Sequence, residues 1–232
     1  MAARRLSFAG LAVLLALAAP AAAEVASLQW DDLLPAPYGA AEREAAALQA
    51  RLDAAPAAEQ EAFRKIGAQR MLRRRIAEGM LKAEELMPDN QALLRTDFDA
   101  QFPAAAAIVD EVERLNARFD ALDKTPNAAL DGKTVRMPGY VLPLEFAGPD
   151  IVEFLLVPFV GACIHAPPPP PNQMLHVRYP AGFESPGLYA PVYVTGRLSA
   201  VGATLDLFLT DGQSSVEAGY RLEAIAVEPY EE

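Results

Sequence analysis

Thr134-Val135-Arg136-Met137-Pro138-Gly139-Tyr140-Val141-Leu142-Pro143-Leu144-Glu145-Phe146, followed closely by Ile151 to Val160, is the stretch on which the fold turns. Its first part alternates apolar and polar residues and contains Pro138-Gly139, which predicts a strand bent or bulged in the middle. The second part is apolar on both faces apart from Glu153, the pattern of a buried central strand. Met174 to Tyr179, Pro191 to Ser199, Thr204 to Thr210 and Glu217 to Val227 continue the series. Pro180-Ala181-Gly182, Val201-Gly202 and Asp211-Gly212 separate them as turns. About six short strands with no helix between them imply a small antiparallel barrel or sandwich, and an OB-like or Greek-key β-barrel is expected over residues 127–232.

Upstream of this half the composition changes. From Ala40 to Asp123 the chain is rich in Ala, Glu, Arg and Leu and poor in β-branched residues, so 24–126 reads as a helical region and the whole as α+β. Ala40 to Ala54, Glu59 to Met87 and Pro103 to Leu122 are the predicted helices, with Pro88-Asp89-Asn90 breaking the second. In the third, Ile108, Val112, Leu115, Phe119 and Leu122 recur at steps of four and three, which makes one narrow apolar seam. The seam either packs on Glu59 to Met87 in a small bundle or docks onto a partner protein, and the sequence does not separate the two.

Residues 1–23 have the form of a secretory signal: Arg4 and Arg5, an apolar run from Leu11 to Ala19, and Ala21-Ala22-Ala23 before Glu24. The run is shorter than the roughly 20 residues of a membrane span, so the mature chain is expected free in a bacterial periplasm without membrane insertion. Removing Arg4 and Arg5 leaves 18 basic against 31 acidic residues, a formal charge of −13. That balance disfavours nucleic acid and anionic lipid surfaces as partners.

The only cysteine and both histidines fall within Gly161-Ala162-Cys163-Ile164-His165-Ala166-Pro167-Pro168-Pro169-Pro170-Pro171-Asn172-Gln173-Met174-Leu175-His176. A lone cysteine cannot form an intramolecular disulfide, so Cys163 is buried, bound or reactive. Cys163 and His165, two apart in an extended segment, project from one face, and proline at 167 steers Ala166 away from helix. His176 shares a face with Met174 and Arg178, while Leu175, Val177 and Tyr179 take the other. Pairing of this strand with Ile151 to Val160 would bring its face toward Cys163 and His165. A thiolate and two imidazoles suit Zn²⁺ with one open position, or copper if Met174 adds its thioether, and Glu145 and Glu153 are the nearest carboxylates for a fourth ligand. The competing readings are a small buried packing cysteine and a Cys-His nucleophile and base. Pro167, Pro168, Pro169, Pro170 and Pro171, with Asn172 and Gln173, predict a stiff exposed polyproline rod, either a spacer or a partner-binding surface.

These residues resemble a bacterial family of unknown function, number 3299. The likeness is carried by Leu130-Asp131-Gly132-Lys133, Met137 to Glu145, Glu153 to His165, the proline run with Asn172-Gln173, and Pro191-Val192-Tyr193-Val194-Thr195-Gly196. The helical half lies outside it. The resemblance implies a secreted protein encoded beside components of a MacB-like ABC transporter and a histidine-rich periplasmic metal-binding protein, in gene groups associated with zinc limitation. It implies no settled ligand or catalytic residue. The expectation is a periplasmic, non-enzymatic accessory protein for zinc acquisition or envelope transport, whose partners are those transporter components or that metal-binding protein. A metal-free adaptor using the proline loop and the helical seam is the alternative, and a thiol enzyme the third reading.

Overall fold

A computed structural model describes residues 24–162, 168–185, 187–209 and 212–230. The N-terminal half is built on three long helices, α1 (Tyr38–Asp53), α2 (Ala57–Ala77) and α5 (Pro103–Asp123), with two short ones between them, α3 (Pro88–Arg95) and α4 (Phe98–Gln101). The predicted seam of α5 is used, but its partner differs from the expected one. Ile108 and Leu115 bury against Ala41 and Leu48 of α1, with Val112, Phe119 and Leu122 at the edge. The segment Ala57–Ala77 instead meets a neighbouring stripe, where Ala105, Ala106 and Val109 close on Ala62 and Ile66. Small residues on that stripe let the two helices approach, and a seam read on one helix cannot say which neighbour fills it. The long helix expected to run to Met87 stops at Ala77, where Gly79 takes a positive φ of 72° and turns the chain. Pro88 then opens α3 rather than only ending what precedes it, because proline at a first helical position lacks an N–H that would have no partner anyway.

The C-terminal half is a closed barrel. Strands β2 (Thr134–Ala147), β3 (Asp150–Val157), β4 (Leu175–Phe183), β8 (Tyr220–Pro229) and β5 (Pro191–Ser199) follow one another in that spatial order, and β2 pairs again with β5. The small barrel expected from the strand pattern is present, and its strands follow the OB-like order first, second, third, fifth, fourth, which the sequence does not indicate. It is mixed rather than wholly antiparallel, since β4 and β8 run parallel. Five strands cannot alternate in direction around a closed ring, so at least one neighbouring pair must be parallel. Between the fourth and fifth barrel strands the chain inserts a hairpin, β6 (Ala203–Leu209) and β7 (Gly212–Ala218). The single strand expected at Glu217 to Val227 is therefore two. They part at Gly219, whose N–H donates to Pro171 O and where a Cβ would lie 2.7 Å from that oxygen.

Pro138-Gly139 forms no bulge: β2 stays in register with β5 through both, and the shifts fall between Pro143 and Phe146 on the β3 side. Gly139 is needed for another reason. A Cβ there would stand 2.6 Å from Leu156 Cγ and 2.9 Å from Trp30 Cζ2.

Val135, Met137, Val141, Phe154, Leu156, Leu175, Val177, Val194, Leu198 and Tyr220 fill the barrel. Leu28 and Leu33 complete it from the segment ahead of the helices, where β1 (Ala26–Ser27) adds to β2 in parallel. Tyr220 ties the two halves together. Its hydroxyl donates to Leu33 O at 2.6 Å and accepts from Asn127 N, and burial pushes its ionisation above the usual tyrosine range. Among the described residues no helix is long and apolar enough to cross a membrane.

Candidate functional site on the outer face of β3 and β4

Alternation along β4 sends Leu175 and Val177 into the barrel and turns Met174, His176 and Arg178 outward, as the sequence predicts. The outward face is covered. Val216 and Ala218 of the hairpin fold over Leu142, Leu155, Val157, Ala162, Met174 and Tyr189, making a second apolar cluster outside the barrel wall. His176 stands beside it, in register with Leu155 and only 8% exposed.

A histidine that far from water requires partners for its ring nitrogens. One is supplied: Nε2 lies 2.7 Å from Glu153 Oε1, two residues before Leu155 on β3. An ionised carboxylate can only accept, so in the neutral imidazole the ring proton is assigned to Nε2 and the lone pair to Nδ1. Nδ1 is itself buried and makes no hydrogen bond among the described residues. Glu153 is held in turn. Its Oε2 lies 3.8 Å from Arg178 Nε, and Arg178 Nη1 lies 4.0 Å from Glu223 Oε1. Glu145, Glu153, Arg178 and Glu223 form one row across β2, β3, β4 and β8, with water exposure rising away from Glu153. Glu145 is solvent-exposed, one strand from Glu153 and away from the His176 ring.

Cys163, His165 and Pro167 lie outside the described residues, and the chain on either side of them is described. Ala162 belongs to the outer cluster with Leu155 and Met174, and its carbonyl accepts a hydrogen bond from the buried Tyr189 hydroxyl. Tyr189 holds a φ of 58°, a left-handed conformation uncommon for a residue with a side chain. Nothing in the sequence around Tyr189 announces this role, because its partner is 27 residues away.

The other root of the segment overturns the picture of a freely exposed proline rod. Pro168 is exposed and Pro169 buried, and Pro171-Asn172-Gln173 is a 3₁₀ turn rather than polyproline helix. Asn172 is fully buried, with its amide donating to Leu122 O at 3.0 Å, and Gln173 donates to Trp30 O at 3.1 Å. These side chains join barrel, helix α5 and N-terminal segment. Proline has no N–H to satisfy, which allows Pro169 to be buried at little polar cost.

Among the described residues no three His, Cys, Asp or Glu side chains converge on a common point. The described part of the site is therefore one imidazole with its orienting carboxylate, lying beside the strand that leads to Cys163.

A family model described as a protein of unknown function (DUF3299) matches residues 30–229. The chain belongs to this family. The match takes in the helices as well as the barrel, so the DUF3299 pattern is wider than the C-terminal likeness read from the sequence. A crystal structure of a DUF3299 family protein from Pseudomonas aeruginosa PAO1 is 27% identical, with a TM-score of 0.45, over 90% of this chain and 98% of that one. No curated protein matches the chain.

Proposed function

We propose that the protein is a metal-binding accessory factor of the periplasm, holding Zn²⁺ through Cys163, His165 and the Nδ1 atom of His176. The observation that carries this is the His176 ring, with Nε2 bound to a carboxylate and Nδ1 buried without a partner among the described residues. Metal-ligating histidines almost always donate their other ring N–H to a carboxylate, carbonyl or water, which fixes the tautomer and raises ligand basicity. On this reading Glu153 orients His176 and is not itself a ligand. A thiolate and two imidazoles leave a fourth position open to water or an incoming donor, as a carrier that exchanges metal requires. Coordination would also shield the thiolate of Cys163 from oxidation. The signal-like residues 1–23 support the compartment, and the MacB-like transporter and zinc-limitation links implied by the family resemblance support exchange with a transporter or a periplasmic metal-binding protein.

Purified protein loaded with Zn²⁺ and desalted is expected to retain about one equivalent, and Cys163→Ala to lose it. Wild type without metal, or a Cys163→Ala variant with unchanged content, sinks the reading.

One observation favours the metal-free adaptor as second reading: an open groove of about 240 Å³ between α1 and α5, lined by Leu48, Leu52, Phe63, Ile108, Val112 and Phe119. Burial of Pro169 and Asn172 removes part of the proline loop from such a role.

A further inference from the structure

A second concavity, unrelated to the cysteine and histidines, opens at the barrel rim where β2 leaves β3 for β5. It encloses about 170 Å³ between Trp30, Tyr140 and Tyr230, with Pro138, Pro158 and Pro191 between the rings. This is smaller than the roughly 300–1,000 Å³ of sites for drug-sized ligands, so it suits a compact head group. The walls are built. The turn carrying Trp30 is closed by Gln29 N donating to Asp32 Oδ2 at 2.7 Å, and Gln173 holds the Trp30 carbonyl. Gly139 leaves the space that the indole edge fills. Tyr230 is fixed by its N–H on Pro191 O at 3.1 Å and stands edge-on to Tyr193, with ring centroids 4.9 Å apart. Among the described residues the Trp30 indole N–H and the Tyr140 and Tyr230 hydroxyls make no hydrogen bond.

Three aromatic side chains line this small space, and the negative quadrupole of an aromatic ring attracts a cation. The charge setting agrees. Among the described residues no basic side chain lines the space. In sequence, Trp30 is followed by Asp31 and Asp32, and Glu228 lies two residues before Tyr230. The neighbouring guanidinium of Arg136 is already engaged over the Tyr193 ring at 3.6 Å and paired with Glu228 at 3.2 Å. With rings and prolines rather than carboxylates forming the walls, the favoured cation is one that sheds water easily. We propose that the Trp30–Tyr140–Tyr230 pocket binds an alkylated ammonium group, as carried by choline and by choline-type lipid headgroups.

Trp30 is the only tryptophan, so its fluorescence reads the pocket directly. Choline is expected to change that fluorescence saturably. Its neutral isostere 3,3-dimethylbutanol should bind roughly 5-fold or more weakly, because the cation–π part is lost. Tyr140→Ala should weaken choline by a similar factor, and Tyr140→Phe, which keeps the ring, should not. Flotation of the protein on phosphatidylcholine vesicles would mark a lipid headgroup as the source, and choline binding without flotation a free solute; either upholds the proposal. Equal binding of the neutral isostere, no saturable response to choline, or a response only to a proline-rich peptide overturns it. Zn²⁺ content is independent of this outcome, so the two sites fail separately.

Discussion

The two faces of β4 are made from consecutive residues and do opposite work. Inward, Leu175 and Val177 join a core whose only fully buried titratable side chain among the described residues is Tyr220, with its hydroxyl fully engaged. Outward, His176 is almost as deeply buried, yet it carries one oriented ring nitrogen and one that no described residue pairs, beside a line of charges. The inner face is complete as it stands, and a substitution there can only remove packing. The outer face contains a buried polar atom that costs stability unless something pairs with it. A barrel that needed only stability could place leucine at 176. The imidazole is the residue that packing does not explain.

Breaking the inner face should have the largest effect. Phe154→Ala removes a side chain with no exposed surface and its edge contact to Phe183, at 5.5 Å between centroids. Urea denaturation should show a loss of about 3–5 kcal/mol. Tyr220→Phe keeps the ring but leaves Leu33 O and Asn127 N without their shared partner, and about 1–3 kcal/mol is expected from the same measurement. On the outer face the order of effects reverses. Glu153→Gln should weaken Zn²⁺ roughly 10- to 100-fold in a competition titration with a chelating dye, since outer-shell partners of ligating histidines carry effects of that size. It should alter unfolding of the metal-free protein far less than Tyr220→Phe does. Arg178→Ala is the smallest change. With 58% of its side chain exposed and its contacts at 3.8 and 4.0 Å, it is worth about 0–1 kcal/mol, and added salt should shrink even that. If Glu153→Gln and Phe154→Ala lowered stability alike and neither touched metal affinity, the distinction between the faces would be lost.

How far the sequence reaches differs between these elements for physical reasons. Alternation over Met174 to Tyr179 is a local property, so the facing of His176 is legible in the order of residues alone. The pairing of His176 with Glu153 is not, because it depends on β3 and β4 lying in register across an intervening segment. Glu153 is legible as a nearby carboxylate, but its 2.7 Å contact to Nε2, on which its bracing role in the proposed metal site rests, is not. Closure of a five-stranded ring requires a parallel pair, and no stretch of β4 or β8 indicates that the pair falls between them. The seam of α5 implies that a helix covers it, yet α1 and α2 are both alanine-rich, and only packing selects between them. Tyr189 and the Asn172–Leu122 contact are not legible, because neither residue type nor neighbours distinguish a side chain whose partner is distant in sequence.

The claim that His176 is a ligand in waiting can be tested at the atom concerned. In long-range ¹H–¹⁵N spectra of protein labelled at histidine, metal-free His176 should show the proton on Nε2 and a bare Nδ1. Addition of one equivalent of Zn²⁺ should shift the Nδ1 resonance strongly while Nε2 keeps its proton on Glu153. An Nδ1 signal that stays where it was, in protein that has taken up Zn²⁺, would contradict the account.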